Sequence, residues 1–204
     1  PARNPKSRRP VVLGLVGGAF AALTVASIAI ASLGGLPGRL APEVARLAQE
    51  VGYDPAPVFR AGSCFLELEQ DLEDFDRDTC LVTEPGQKKY LLLGDSHAAH
   101  LYHGLVHLAP DGNLMQATAS GCEPRFGSYS DKSWCGPLMR YMFENYLPGN
   151  PPDLLILAAD WHTGSHEPLA RTIAWATAHG IPVAVLGPTL EYSAPLPVLL
   201  AEEI

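Results

Sequence analysis

The stretch YLLLGDSHAAHLYHGL, residues 90–105, sets Ser96 directly after an apolar run and ahead of a helix-forming sequence. A serine hydroxyl becomes a nucleophile only when a base takes its proton, and the oxyanion it generates needs donors already in place. At a helix start, free N–H groups and the helix dipole favour such developing negative charge. A serine there can equally be a plain helix cap. By position alone the cap is the simpler account.

His97, His100 and His103 follow at helical spacing, and His162 and His166 come later. The sequence brings no carboxylate or cysteine to that stripe at ligand spacing, so neither a metal nor a cofactor is expected. His97 is expected at the edge of the serine's site and the other histidines at partly buried helix positions. In ELEQDLEDFDRD (67–78), Asp74, Asp76 and Asp78 begin like a calcium loop. That loop needs Gly at its sixth position and Glu at its twelfth, where Thr79 and Pro85 stand, so a solvated acidic face is expected instead.

The elements that must hold these residues read as α/β. KYLLLGD, DLLILAAD and IPVAVLGP are short continuous apolar runs, the pattern of strands buried on both faces. SHAAHLYHGLVHLA and a cysteine-containing loop lie between the first two. EPLARTIAWATAHG, a helical pattern stopped by Gly180, lies between the second and third. This alternation predicts a mostly parallel sheet covered on both sides, with chemistry beyond the carboxyl ends of the strands.

Residues 11–33 carry no charge, and at about 1.5 Å per residue they would cross a hydrocarbon core of about 30 Å. Arg3, Lys6, Arg8 and Arg9 precede them, which predicts a cytoplasmic basic flank (1–10), a transmembrane helix (11–33) and everything later outside. A cleaved signal peptide would export the rest equally. Residues 34–59 read as a linker with a short helix, on which Val44, Leu47 and Val51 share a face, and 60–204 as the main domain. The four cysteines fit an oxidising compartment. They allow three pairings, of which the short loops favour Cys64 with Cys80 and Cys122 with Cys135. A net charge of −8 with no basic stripe excludes a nucleic-acid partner.

GDSH after an apolar strand resembles the first block of SGNH/GDSL-type esterases and acyltransferases. Around it stand the membrane segment, SCFL, ASGCEP, PPDLLILAADW and VAVLGPTLEY, in that order. The order is similar to the extracytoplasmic SGNH domain fused to acyltransferase-3 family membrane proteins. The resemblance implies a three-layer α/β/α, flavodoxin-like fold. It also implies an inner-membrane protein that transfers an acyl group, acetyl foremost, to a hydroxyl of a cell-surface polysaccharide or lipopolysaccharide. The donor would come from an upstream membrane acyltransferase domain. Ser96 would be the nucleophile and one oxyanion donor, and Gly121 a second, although Gly121 could equally be the turn residue beside Cys122. The family's third block has an asparagine where this chain reads AADW, and an ionised Asp160 cannot replace an amide donor. The family's Asp-x-x-His base pair does not occur in the 204 residues and is expected beyond them. An anchored carbohydrate esterase and a non-catalytic glycan-binding domain are the alternatives.

Overall fold

The computed structural model describes residues 9–35, 37–108 and 112–203. The basic residues Arg3, Lys6 and Arg8 of the N-terminal flank lie outside them. The chain divides into two compact units, residues 1–53 with 192–204, and residues 54–191.

The first unit begins with α1 (Arg9–Ser32), whose Val11–Ser32 stretch has a mean hydropathy of 2.2 and is long and apolar enough to cross a membrane. Its large side chains are exposed, Phe20 at 73% and Leu13 at 72%, so no protein core accounts for their apolarity. The short linker helix is α2 (Pro42–Glu50), opened by a proline at its first turn, where a missing N–H costs nothing. It packs against the last helix of the chain, described below.

The second unit carries α3 (Ala56–Phe59), β1 (Phe65–Leu66), α4 (Arg77–Cys80), β2 (Lys88–Gly94), α5 (Ser96–Ala99), α6 (Tyr102–Leu108) and β3 (Gly112–Ala119). There follow α7 (Gly136–Arg140), which runs on into a π-helical turn at Tyr141–Tyr146, then β4 (Leu154–Ala158), α8 (His166–Ala178) and β5 (Val183–Leu186). The final helix, α9 (Leu196–Glu202), belongs to the first unit.

All five strands are parallel, in the order β1-β3-β2-β4-β5. Side chains alternate across a strand, so a strand covered on both faces must be apolar throughout. Accordingly, Leu91 and Leu93 enter a core with Met115, Leu138, Phe143 and Leu157 on one face. Leu92 joins Ala98 and Ile156 on the other. Each of these leucines is fully buried, worth about 1.5–3 kcal/mol apiece. The α/β/α architecture is as expected.

Two strands depart from the expectation, the two-residue β1 and β3. Residues 112–119, read as part of a helix and loop region, are β3, which pairs with both β1 and β2. Its pattern is interrupted by Asn113, Gln116 and Thr118, which are buried. Tertiary partners take up most of their polar groups: Asn113 exchanges hydrogen bonds with the Glu84 backbone, and Gln116 donates to the Phe59 carbonyl, although its Oε1 has no partner among the described residues. Thr118 donates to the carbonyl of Cys64. The helical stretch after Ser96 is also broken, into α5 and α6. The cysteines pair locally, Cys64 with Cys80 and Cys122 with Cys135, each with Cα atoms 5.4 Å apart.

Candidate active site

From β2 the chain crosses first to β3 on one side and then to β4 on the other. The carboxyl end of β2 is therefore a topological switch point, where a crevice opens in sheets of this kind. Gly94, the last residue of β2, is level with Thr118 of β3 and Ala158 of β4. Ser96, Gly121 and Asp160 thus leave the sheet from three neighbouring strand ends, about 4.8 Å apart from strand to strand.

Gly94 is required by packing. A Cβ there would stand 1.7 Å from the Ala158 carbonyl oxygen, and φ is +156°. Asp95 comes next, only 2% exposed. Its Oδ1 accepts from the backbone N–H of His97 at 2.8 Å, and its Oδ2 from that of Asp160 at 2.9 Å. One carboxylate therefore caps α5 and ties the end of β2 to the end of β4. Burial pushes its pKa up, against the opposing pull of those two N–H groups. The cap of this helix is Asp95, so Ser96 at the first helical position is not the N-cap residue. The sequence pointed to the serine and passed over its neighbour, although aspartate is as good a cap as serine.

Ser96 is half-buried, and its backbone N–H has no acceptor among the described residues. Gly121 has φ +55°, with no atom within 4 Å of where its Cβ would be. Its N–H, too, has no acceptor among the described residues. In the AADW stretch the Trp161 backbone N–H likewise has no acceptor among the described residues. The Asp160 N–H is taken by Asp95, and the Trp161 indole N–H donates to the Leu186 carbonyl at 2.7 Å.

His97 is engaged at both ring nitrogens. Thr189 Oγ1 lies 2.8 Å from Nδ1, and Glu191 Oε1 lies 3.4 Å from Nε2. This suits a tautomer protonated at Nε2, with the threonine hydroxyl donating to Nδ1. Asp160 also converges, so that one imidazole and two carboxylates offer atoms within 4.8 Å of one another. The sequence concealed this cluster because Asp160 and Glu191 reach His97 only through the fold. The remaining histidines are exposed and not partly buried. His103 and His107 meet edge to face on α6 with ring centroids 4.6 Å apart, and His162 leans toward Asp160 at 3.5 Å. The acidic run serves turns and caps, Asp76 accepting from Thr79 at the start of α4.

On the other side of Gly121, a polar cleft of about 280 Å³ opens within the loop closed by Cys122–Cys135.

Residues 63–202 match the family model of the SGNH domain fused to AT3 domains. Among solved structures, the periplasmic domain of the lipopolysaccharide acetyltransferase of Salmonella ser. Paratyphi A is similar. It superposes with a TM-score of 0.59 at 19% identity, covering 83% of this chain and 66% of that one. This chain therefore spans just under two thirds of that structure's length, and the likeness concerns the fold. A search of curated proteins gave no match.

Proposed function

This chain belongs to the SGNH domains fused to AT3 domains, and on that premise we propose that it transfers an acyl group through Ser96 to a hydroxyl of a cell-surface glycan. One observation carries the proposal: two N–H groups without acceptors among the described residues, at Ser96 and Gly121, just past the carboxyl ends of adjacent parallel strands. Preorganised donors of this kind are what an acyl-transfer oxyanion requires.

Ser96 Oγ attacks the acyl carbonyl of the donor while a base takes its proton and passes it to the leaving group, leaving an acyl-serine ester. A sugar hydroxyl then attacks that ester, its proton passing through the base to Ser96 Oγ. His97 is a poor candidate for the base, since Thr189 and Glu191 hold both its nitrogens. We assign that role to an Asp-x-x-His pair, which these 204 residues lack. The donor comes from a membrane acyltransferase domain joined to this one. α1 crosses the inner membrane, which leaves the sheet domain on the periplasmic side. The glycan is a polysaccharide or lipopolysaccharide.

The test is Ser96→Ala in the whole reading frame, with O-acyl groups on the extracted surface glycan read by NMR. Acylation should vanish while the domain stays folded, because Ser96 is not the cap and little stability rests on its hydroxyl. Undiminished acylation would leave Ser96 a structural residue and turn the assignment toward a glycan-binding domain.

A further inference from the structure

We propose that the cleft beside Gly121 is the acceptor subsite and that it takes one neutral pyranose residue by its hydroxyls, an inference that rests on the acyl-transfer proposal above. The cleft is lined by Gly121, Glu123, Arg125, Ser128, Tyr129 and Ser130 among others. Its volume of about 280 Å³ lies just below the range of drug-sized ligand sites and suits a single sugar ring. Gly121 belongs both to this lining and to the proposed oxyanion site, which ties the cleft to the strand ends that carry Ser96 and Gly121.

The chemistry of the walls selects a polyol. Glu123 and Arg125 form a two-point pair, Nε to Oε2 at 3.1 Å and Nη2 to Oε1 at 2.9 Å. Those contacts use two of the guanidinium's five donors and leave lone pairs on both carboxylate oxygens. The pair therefore offers donors and acceptors side by side, as two neighbouring sugar hydroxyls require. The Tyr129 hydroxyl is buried and meets no partner with hydrogen-bond distance and angle among the described residues, the Gly127 backbone and the Glu144 carboxylate being its polar neighbours. A buried, unpartnered polar group in a folded protein calls for an explanation, and a bound ligand is one. Burial raises the phenol's pKa, with the Glu144 carboxylate adding to the effect, so the hydroxyl is a neutral donor.

Charge does not favour an anion in the cleft. Three arginines surround this loop, and each is matched by a carboxylate: Arg125 by Glu123, Arg140 by Glu144 at 3.8 Å, and Arg171 by Glu167 at 3.1 Å. None of these three is left over for a phosphate or a carboxylate ligand, and Lys132, the loop's other cation, lies over the Trp134 ring at 5.5 Å and does not line the cleft.

The cleft is also held in shape. The Cys122–Cys135 bridge closes its loop, and the Trp134 indole N–H donates to the Ser120 carbonyl at 2.8 Å. Thr172 of α8 accepts from the Phe126 N–H and donates to the Pro124 carbonyl. Gly136 lies so close to the loop that a Cβ would fall 1.9 Å from the Ser130 carbonyl oxygen. A site fixed in this way loses little entropy on binding.

The experiment is ligand-observed saturation-transfer NMR on residues 1–204 carrying Ser96→Ala, in detergent. The probes are the methyl glycosides of glucose, galactose, mannose and rhamnose, with methyl glucuronide and glucose 6-phosphate as anionic counterparts. At least one neutral glycoside should bind, and none of the anions should bind better. Tyr129→Phe should weaken that binding about fivefold, the worth of one neutral hydrogen bond. Arg125→Ala should weaken it further, and Arg125→Lys should not restore it, because a lysine lacks the planar fork. Thermal unfolding of each variant separates lost binding from lost folding. Absence of any neutral ligand, preference for an anion, or unchanged binding in folded Tyr129→Phe would each overturn the subsite. Because the probe chain lacks the Ser96 hydroxyl, failure of the nucleophile assignment leaves this result untouched.

Discussion

Replacing Asp95 tests how the site is held together. The carboxylate is 2% exposed, and its two oxygens each accept one backbone N–H, from His97 and from Asp160. Asp95→Ala removes the cap of α5, worth about 1 kcal/mol. It also strips the Asp160 N–H of its acceptor, at about 1–3 kcal/mol. The sum is about 2–4 kcal/mol, a large part of the stability of an ordinary domain. Asp95→Asn keeps one acceptor and turns an NH₂ group toward the other N–H, so it should cost about 1–2 kcal/mol. Urea unfolding followed by tryptophan fluorescence measures both. With a slope of about 2 kcal/mol per molar, the midpoint should fall by about 1–2 M for alanine and about 0.5–1 M for asparagine. The two variants should also lose acylation more steeply than stability, since Ser96 and Asp160 flank the carboxylate. Equal midpoints for aspartate, asparagine and alanine would refute the clamp.

Burial raises the Asp95 pKa above its ordinary 3.8, so the folded chain holds that proton more tightly than the unfolded one. The associated stability is complete below 3.8 and lost as pH rises through the higher folded value. The stability difference between wild type and Asp95→Asn should therefore narrow across that window in pH-dependent unfolding, and a widening difference would contradict it. Gly94→Ala should cost about 4 kcal/mol or more, because a Cβ 1.7 Å from the Ala158 oxygen forces the central strands apart; a soluble variant with the wild-type midpoint would refute this. Each disulfide should contribute about 3 kcal/mol by loop closure, read as the loss of stability when Cys64 and Cys80, or Cys122 and Cys135, are changed pairwise to serine. A reporter active only in the periplasm, fused after residue 60, should be active, and activity confined to a cytoplasmic reporter would reverse the topology.

The sequence was legible where a strand is apolar on both faces. Leu91–Leu93 and Leu155–Leu157 announce β2 and β4 without help from any neighbour. It was illegible where burial is polar. Gln116 and Thr118 look like loop residues until the Phe59 and Cys64 carbonyls that satisfy them come within reach. The site divides in the same way. Ser96 and Gly121 could be singled out through the resemblance of GDSH and SGC to the family's blocks, since local pattern alone left them a helix cap and a turn residue. The role of Asp95 depends on a backbone N–H supplied by another strand, and the His97 cluster on Thr189 and Glu191 from beyond β5. Such partners have no trace in local pattern.

The hydrogen bond from Asp160 to Asp95 spans 65 positions of chain. Closing a loop of that size is entropically costly and is repaid only once the intervening β3 and α7 are in place. The turn that presents Ser96 is therefore a late event in folding. During synthesis, a nascent chain that stops short of residue 160 can form α5 but cannot lock it. The turn would then lock in one step, when β4 docks beside β2 and the Asp160 N–H reaches Asp95.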